Sequence, residues 1–253
     1  MYGSTGATTP DDSERTAFRK AEKKYKLLKN NNNASSKRII DTHSCVICDV
    51  GFYFIPGALS IEEQCHWIKE SLISFPQPPN RTNHYAIYGH IHDLFVAAQN
   101  KKVLRWQSSN MDKKEVAATT LLRKLRWSTL GLQFDWSKRD YNVTLPHNKI
   151  PESLCQLAKR MAAPAMGTGE EFQPEAAIVN YFSSGDMLGG HLDDMEADWN
   201  KPIVSISLGC KAIFLLGGKS REDMPIAMFL RSGDVVLMAG QARECFHGEY
   251  RFI

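Results

Sequence analysis

Several large classes of protein are marked by features this sequence has little of. No run approaches the roughly 20 apolar residues that a membrane-spanning helix requires, so the sequence predicts no such helix and no membrane partner. Cysteine is sparse. Six are scattered at positions 45, 48, 65, 155, 210 and 245 of 253 residues, which is no disulfide framework and suits a reducing compartment, nucleus or cytoplasm. The opening MYGSTGATTPDDSERTAF lacks the apolar stretch of a secretory signal and carries acids that a transit peptide avoids. Charge of one sign is also scarce. A formal net charge of only +3 means that any nucleic-acid contact must come from local clustering. What is present is an ordinary globular composition, 43% hydrophobic and 23% charged, in a chain long enough to build one large core.

Three regions are expected: 1–36, 37–174 and 175–253. In the first, residues 1–12 are small and polar. A helix from Ser13 then places Phe18, Ala21, Tyr25 and Leu28 on one stripe and leaves its basic residues and Glu22 on a solvated face. Asn30–Asn33 reads as a linker. In the second region, Val46–Ile55 is a strand ending at Pro56-Gly57. Ser60-Ile-Glu-Glu63 has the form of a capping box opening a helix, with Ile61, Cys65, Ile68 and Leu72 as its buried stripe. Lys101, Lys102, Arg105, Arg123, Lys124 and Arg126 then cluster near Trp106 and Trp127. Basic residues interleaved with aromatics suit a nucleic-acid groove, and a plain surface helix explains the same text equally well. Pro151 opens another helix through Leu157 and Met161.

From residue 175 the period shortens. Ala176–Phe182, Ile203–Leu208, Ala212–Leu216, Ala227–Leu230, Val235–Met238 and Cys245–Phe252 are short β-type runs between turns. Helices followed by a run of strands predict an α+β protein, an antiparallel sandwich or jelly roll with helices packed on it.

Three segments of this β half hold unusual polar residues: NYFSSGDMLGGHLDD, SGDVVLMAG and RECFHG. The first places His191 and Asp193 two positions apart, on one side of a strand or strand end. With His247 from another strand they form two imidazoles and one carboxylate, the ligand set of non-haem iron(II) oxygenases, which leaves positions open for substrate and oxygen. With eight histidines and 28 acidic residues, chance alone supplies about one His-x-acid tripeptide, and the chain has two. His191-Leu-Asp193 is favoured over His247-Gly-Glu249 because it has a later histidine to complete it and a glycine-rich approach at Gly185, Gly189 and Gly190. Cys45-Val-Ile-Cys48 reads as strand cysteines and His90-Ile-His92-Asp93 as a polar loop. Asp194, Glu196 and Asp198 read as a solvated loop, with Asp194 the alternative candidate to orient His191.

The stretch from about Leu125 to His247 carries LRWSTLG, AAIVNYF, GGHLDDMEADWNKPIVSISLGCKAIFLLGG and MFLRSGDVVLMAG, ending in ECFHG. It resembles the AlkB-type iron(II)/2-oxoglutarate dioxygenases, within them the branch of AlkB homologue one. The resemblance implies a double-stranded β-helix with N-terminal helices and loops as a nucleotide-recognition lid. It implies oxidative demethylation of N-methylated bases in DNA or RNA, single-stranded or flipped out, by a monomer. It places His191, Asp193 and His247 on the iron ligands, with no other catalytic side chain, and Asn180 on a 2-oxoglutarate contact. The tyrosine expected two residues later is Phe182, with Tyr181 beside it.

The resemblance also implies two cosubstrate arginines on a last strand beyond the second histidine, and this sequence stops six residues after His247. The expectation is a C-terminally truncated form with last strand or strands missing and turnover impaired. An unpaired buried carboxylate costs ~3–5 kcal/mol, roughly a hundred- to a few thousand-fold in cosubstrate affinity. Two alternatives stand beside it: an inactive isoform binding nucleic acid or protein partners, and a cupin-like metal protein acting on a small molecule.

Overall fold

The computed structural model describes residues 16–26, 39–107 and 113–251. In chain order the N-terminal elements are α1 (Ala17–Lys26), β1 (Ile39–Ile40), β2 (Val46–Cys48), β3 (Phe52–Ile55) and α2 (Ile61–Ile73). Then come α3 (Tyr85–Tyr88), α4 (Leu94–Gln99), β4 (Val103–Gln107), β5 (Lys113–Ala117), α5 (Ala118–Arg123), β6 (Trp127–Gly131), β7 (Gln133–Asp135), β8 (Asp140–Asn142) and α6 (Glu152–Ala162). The C-terminal strands are β9 (Ala176–Asn180), β10 (Met187–His191), β11 (Ile203–Ile206), β12 (Ala212–Leu216), β13 (Ile226–Leu230), β14 (Val235–Met238) and β15 (His247–Arg251). The expected residues 1–15 and the linker at 30–33 lie outside the described residues.

Two compact units emerge. One gathers the chain up to Ala58, Ser184–Asp194 and Asp198 onward; the other holds Leu59–Ser183 with Met195–Ala197. The first is a pair of sheets, ordered β1-β13-β12-β15-β10 and β11-β14-β3-β2. All pairings are antiparallel except β1 with β13. This is the expected jelly-roll arrangement. Strand residues alternate between faces, and β12 buries both. Phe214 and Leu216 join Phe52, Phe54, Val236 and Met238 in a core between the sheets. Ile213 and Leu215 point outward and are covered by Phe18, Ala21 and Tyr25 of α1. An entirely buried strand reads as an unbroken apolar run, which AIFLL is.

Three expectations need correcting here. Val46–Ile55 is not one strand but a tight hairpin, because Gly51 at φ +87° turns the chain between β2 and β3. That hairpin and β1 pair into the two sheets, and β9 belongs to the other unit, so the expected boundaries at 37 and 175 are displaced. Glu22, assigned to solvent, is only 3% exposed.

The second unit carries α2 to α6 and three two-stranded pairings, β4 with β5, β6 with β9 and β7 with β8. Ser60 and Glu63 form the expected capping box at the start of α2. The buried face of α2 is not the expected one. Ile61 is 68% exposed and Cys65 is exposed, while Trp67 is buried and stacks on Phe75 at 6.3 Å. The larger indole has more apolar surface to remove from water, so it selects the face. The basic stretch from 101 is a hairpin followed by the short α5 rather than a surface helix. Helix α6 follows Pro151 and buries Leu157 and Met161, as the spacing predicts.

Candidate metal centre

Strand β10 ends at His191 and strand β15 begins at His247, and the two histidines face each other as a cross-strand pair. The register is not uniform. Met187 pairs with Tyr250 and Leu188 with Glu249, and continuing that register would set Phe246 opposite His191. An irregularity between Leu188 and His191 shifts it by one residue and brings His247 there instead. A shift of one residue moves a side chain to the other face, so this bulge is what aligns the imidazoles. Asp193, two residues beyond His191, completes the group.

Each of the three side chains offers one ligand atom, and those atoms lie within 4.8 Å of one another. The Asp193 carboxylate spans the histidines, with Oδ1 3.6 Å from His191 Nε2 and Oδ2 3.3 Å from His247 Nε2. The rings are 4.4 Å apart between centroids. His247 is closed in, stacked on Phe214 at 5.9 Å. His247 is 8% exposed at its side chain, against 32% for His191 and 31% for Asp193. The group is therefore walled on one side and open on the other.

Both tautomers are set by the backbone. His191 Nδ1 lies 2.9 Å from the Gly189 carbonyl and His247 Nδ1 lies 3.3 Å from the Cys245 carbonyl. A carbonyl only accepts, so each Nδ1 carries the proton and each Nε2 presents a lone pair when the ring is neutral. The orienting acceptor for His191 is thus the Gly189 carbonyl rather than Asp194, the alternative the sequence offered. Burial, helped by the neighbouring His247, lowers the His191 pKa and favours the neutral ring. Burial would raise the Asp193 carboxyl, but His247 and then His191, whenever either carries a proton on the Nε2 that faces the carboxylate, together with the charge of Arg243, outweigh it and hold it below its ordinary value. Two lone pairs and an ionised carboxylate aimed at one another repel unless a proton or a cation lies between them. That donor set fits a divalent first-row metal ion held on one face, with the opposite positions open. Among the described residues it is the only group of histidine, cysteine or acidic side chains placed to hold a metal. His90-Ile-His92-Asp93 forms none, and His90 packs on Tyr85.

Residues 51–251 match the model of the 2OG-Fe(II) oxygenase superfamily. The chain belongs to this superfamily. Its members require Fe(II) and 2-oxoglutarate. The chain is 56% identical to the protein named DNA N(6)-methyladenine demethylase ALKBH1A of Arabidopsis thaliana over 302 aligned positions, covering 98% of this chain and 87% of the relative. It is 37% identical to the human protein named nucleic acid dioxygenase ALKBH1 over 80% of this chain, spanning half of that relative's length. It is 38% identical to alpha-ketoglutarate-dependent dioxygenase AlkB of Escherichia coli over 52% of this chain and 60% of that one. The solved structure titled "The structure of OsALKBH1" shares the fold, with a TM-score of 0.54 at 20% identity over 83% of this chain and 88% of that one.

The remaining expected site residues of this oxygenase lie in the second unit. Asn180 is exposed at the end of β9, opposite Trp127. Phe182 is half-buried. Tyr181 does not offer its hydroxyl to a cosubstrate. Its OH donates to the Ser71 carbonyl at 2.6 Å and sits 3.0 Å from Ser128 Oγ, so its only proton is committed, and burial raises its pKa strongly. Lys101, Lys102, Arg123, Lys124 and Arg126 are exposed. Arg105 is paired with Glu115 at 2.6 Å. Trp127 is half-buried against Trp136 at 5.3 Å, and Trp136 is 52% exposed.

Proposed function

We propose that the chain is an Fe(II)- and 2-oxoglutarate-dependent dioxygenase that oxidatively removes N-methyl groups from bases in DNA or RNA, with His191, Asp193 and His247 as its iron ligands. The observation that carries the reading is the convergence of these three donors on one point at the open end of β10 and β15. Nucleic acid as the substrate is supported by the names of relatives, which include a DNA N(6)-methyladenine demethylase and a tRNA demethylase. Iron and 2-oxoglutarate, when bound, would supply the oxidation with dioxygen as the oxidant: one oxygen atom enters the N-methyl group, whose hydroxymethyl product is lost as formaldehyde, and the other enters 2-oxoglutarate, which leaves as succinate and carbon dioxide.

The chain's own contribution is positional and electrostatic. Asp193 brings the negative charge that offsets part of the metal's. The Gly189 and Cys245 carbonyls hold the imidazoles in the ligating tautomer. Phe214 shields His247 and keeps water from that side. A base stacked in a duplex could not reach the ligand atoms, so a single-stranded or flipped-out base is the form taken.

The test is to supply the purified chain with Fe(II), 2-oxoglutarate and single-stranded oligonucleotides carrying N-methylated adenine, as DNA and as RNA. Succinate and formaldehyde in equal amounts, abolished by Asp193→Ala, support the reading. Oligonucleotide binding with no succinate would make the chain a nucleic-acid-binding protein instead.

A further inference from the structure

Helix α1 precedes the segment that matches the superfamily model, yet it touches the residue before each histidine. Phe18 is fully buried. Its ring occupies the space of the missing Cβ at Gly190, where an added carbon would lie 2.4 Å from Cε1, and at Gly217, where it would lie 2.9 Å from Cδ2. The same ring meets Phe246 at 6.5 Å. Gly190 precedes His191 and Phe246 precedes His247.

Strand β10 is the edge of its sheet, and unpaired backbone groups there would otherwise depend on water. Gly190 has both of its groups taken. Its N–H donates to Glu22 Oε1 at 2.6 Å, and its carbonyl accepts from Arg221 Nη2 at 2.7 Å. Glu22 is 3% exposed and ion-paired with Arg19 at 2.7 Å. Arg221 in turn lies 4.6 Å over the Phe246 ring, and its carbonyl accepts the Phe18 N–H at 2.9 Å. Gly190 thus makes room for a helix rather than for a ligand.

We propose that Phe18 and Glu22 are positioning residues of the metal centre, setting the spacing of His191 and His247 through Gly190 and Phe246. The inference rests on the assignment of those histidines as ligands. It makes α1 part of the frame of the site rather than a cover on the back of the sheet.

The experiment is a Co(II) titration of the full purified chain, read by the d–d absorption of the bound ion, with thermal melting to establish the folded fraction. Glu22→Leu keeps the bulk of the side chain and removes the acceptor for Gly190 N–H. It should weaken Co(II) binding about 10- to 100-fold, the usual effect of losing a group that orients a ligand, and alter the absorption band. Glu22→Gln keeps an acceptor oxygen and should return affinity to within about threefold of the original chain. If Glu22→Leu does not fold, Phe18→Leu, which empties the space beside Gly190 and Gly217, should weaken binding in the same range. A folded Glu22→Leu or Phe18→Leu chain that binds Co(II) like the original overturns the inference. An original chain that binds no Co(II) overturns the ligand assignment itself.

Discussion

His191 and His247 stand directly opposite each other on neighbouring antiparallel strands, although the register at Met187 and Leu188, carried forward, would have set His191 against Phe246. The bulge that corrects this depends on very close strands. At Gly248 an added Cβ would lie 2.9 Å from the Leu188 carbonyl oxygen and 3.2 Å from the Gly189 carbon and the Gly190 nitrogen. These are backbone atoms, which cannot step aside as a flexible side chain does.

Gly248→Ala should therefore push β10 away from β15. The expected cost is ~1–3 kcal/mol of stability, typical of overpacking, together with weaker Co(II) binding. Gly167→Ala, whose Cβ would make an ordinary 3.4 Å contact with the Glu170 side chain, is the comparison and should change neither. Denaturant melts and metal titration of the two variants check this.

A pH dependence follows from His84. It is 4% exposed, and its Nε2 lies 2.9 Å from the Leu121 carbonyl, which makes Nε2 the protonated atom of a neutral ring. Burial lowers its pKa, the hydrogen bond to Leu121 opposes that, and the charge of Lys124 adds to it. The folded state thus binds this proton less readily than the unfolded chain does. Above the ordinary value of about 6.5 neither state is protonated and His84 adds no pH dependence. Below it the unfolded state gains a proton first, so stability falls as pH drops. His84→Gln, with an amide nitrogen near the place of Nε2, should flatten this part of the slope between about pH 6.5 and 5. Urea melts across that range measure it, and an unchanged slope would remove His84 as its cause.

The capping box of α2 gives a stability prediction. Ser60 Oγ accepts from Glu63 N–H at 3.2 Å, and Glu63 Oε2 accepts from Ser60 N–H at 2.9 Å while Oε1 meets Arg160 of α6 at 2.5 Å. Ser60→Ala should cost about 1 kcal/mol. Arg160→Ala should cost less, since the ion pair is half in solvent. Thermal melts of both variants rank the two contributions.

The grouping of His191, Asp193 and His247 was legible because its chemistry lies in residue identity: two imidazoles and a carboxylate, with a strand-like spacing between the first pair. Its alignment was not, since a one-residue bulge leaves no trace in local periodicity. The jelly-roll strands showed through their short apolar runs, but β10 did not, because MLGGH has glycines where a strand usually has branched residues. The reason for the second of them, Gly190, is a distant helix. Glu22 carried a signal that charge obscured: it sits four residues after Phe18 and one after Ala21, inside the apolar stripe. In α2 two apolar stripes compete, and only the Trp67–Phe75 stack decides between them.

Nucleic-acid binding should depend on salt through particular residues of the second unit. Lys101, Lys102, Arg123 and Lys124 are exposed, whereas Arg105 already spends its charge on Glu115. Each phosphate contact to a single strand contributes about 0.7 to the slope of log affinity against log salt. Replacing Lys101 and Lys102 with alanine should lower that slope by up to about 1.4, and Arg105→Ala should lower it less. Trp136, half-exposed beside Trp127, offers a ring face for a base. Trp136→Ala should cost ~1–3 kcal/mol of binding without changing the salt slope, because stacking releases no counterions. Fluorescence titrations of a single-stranded oligonucleotide at several salt concentrations separate these effects. Equal slopes for the original chain and the lysine variants would place the nucleic-acid path elsewhere on the protein.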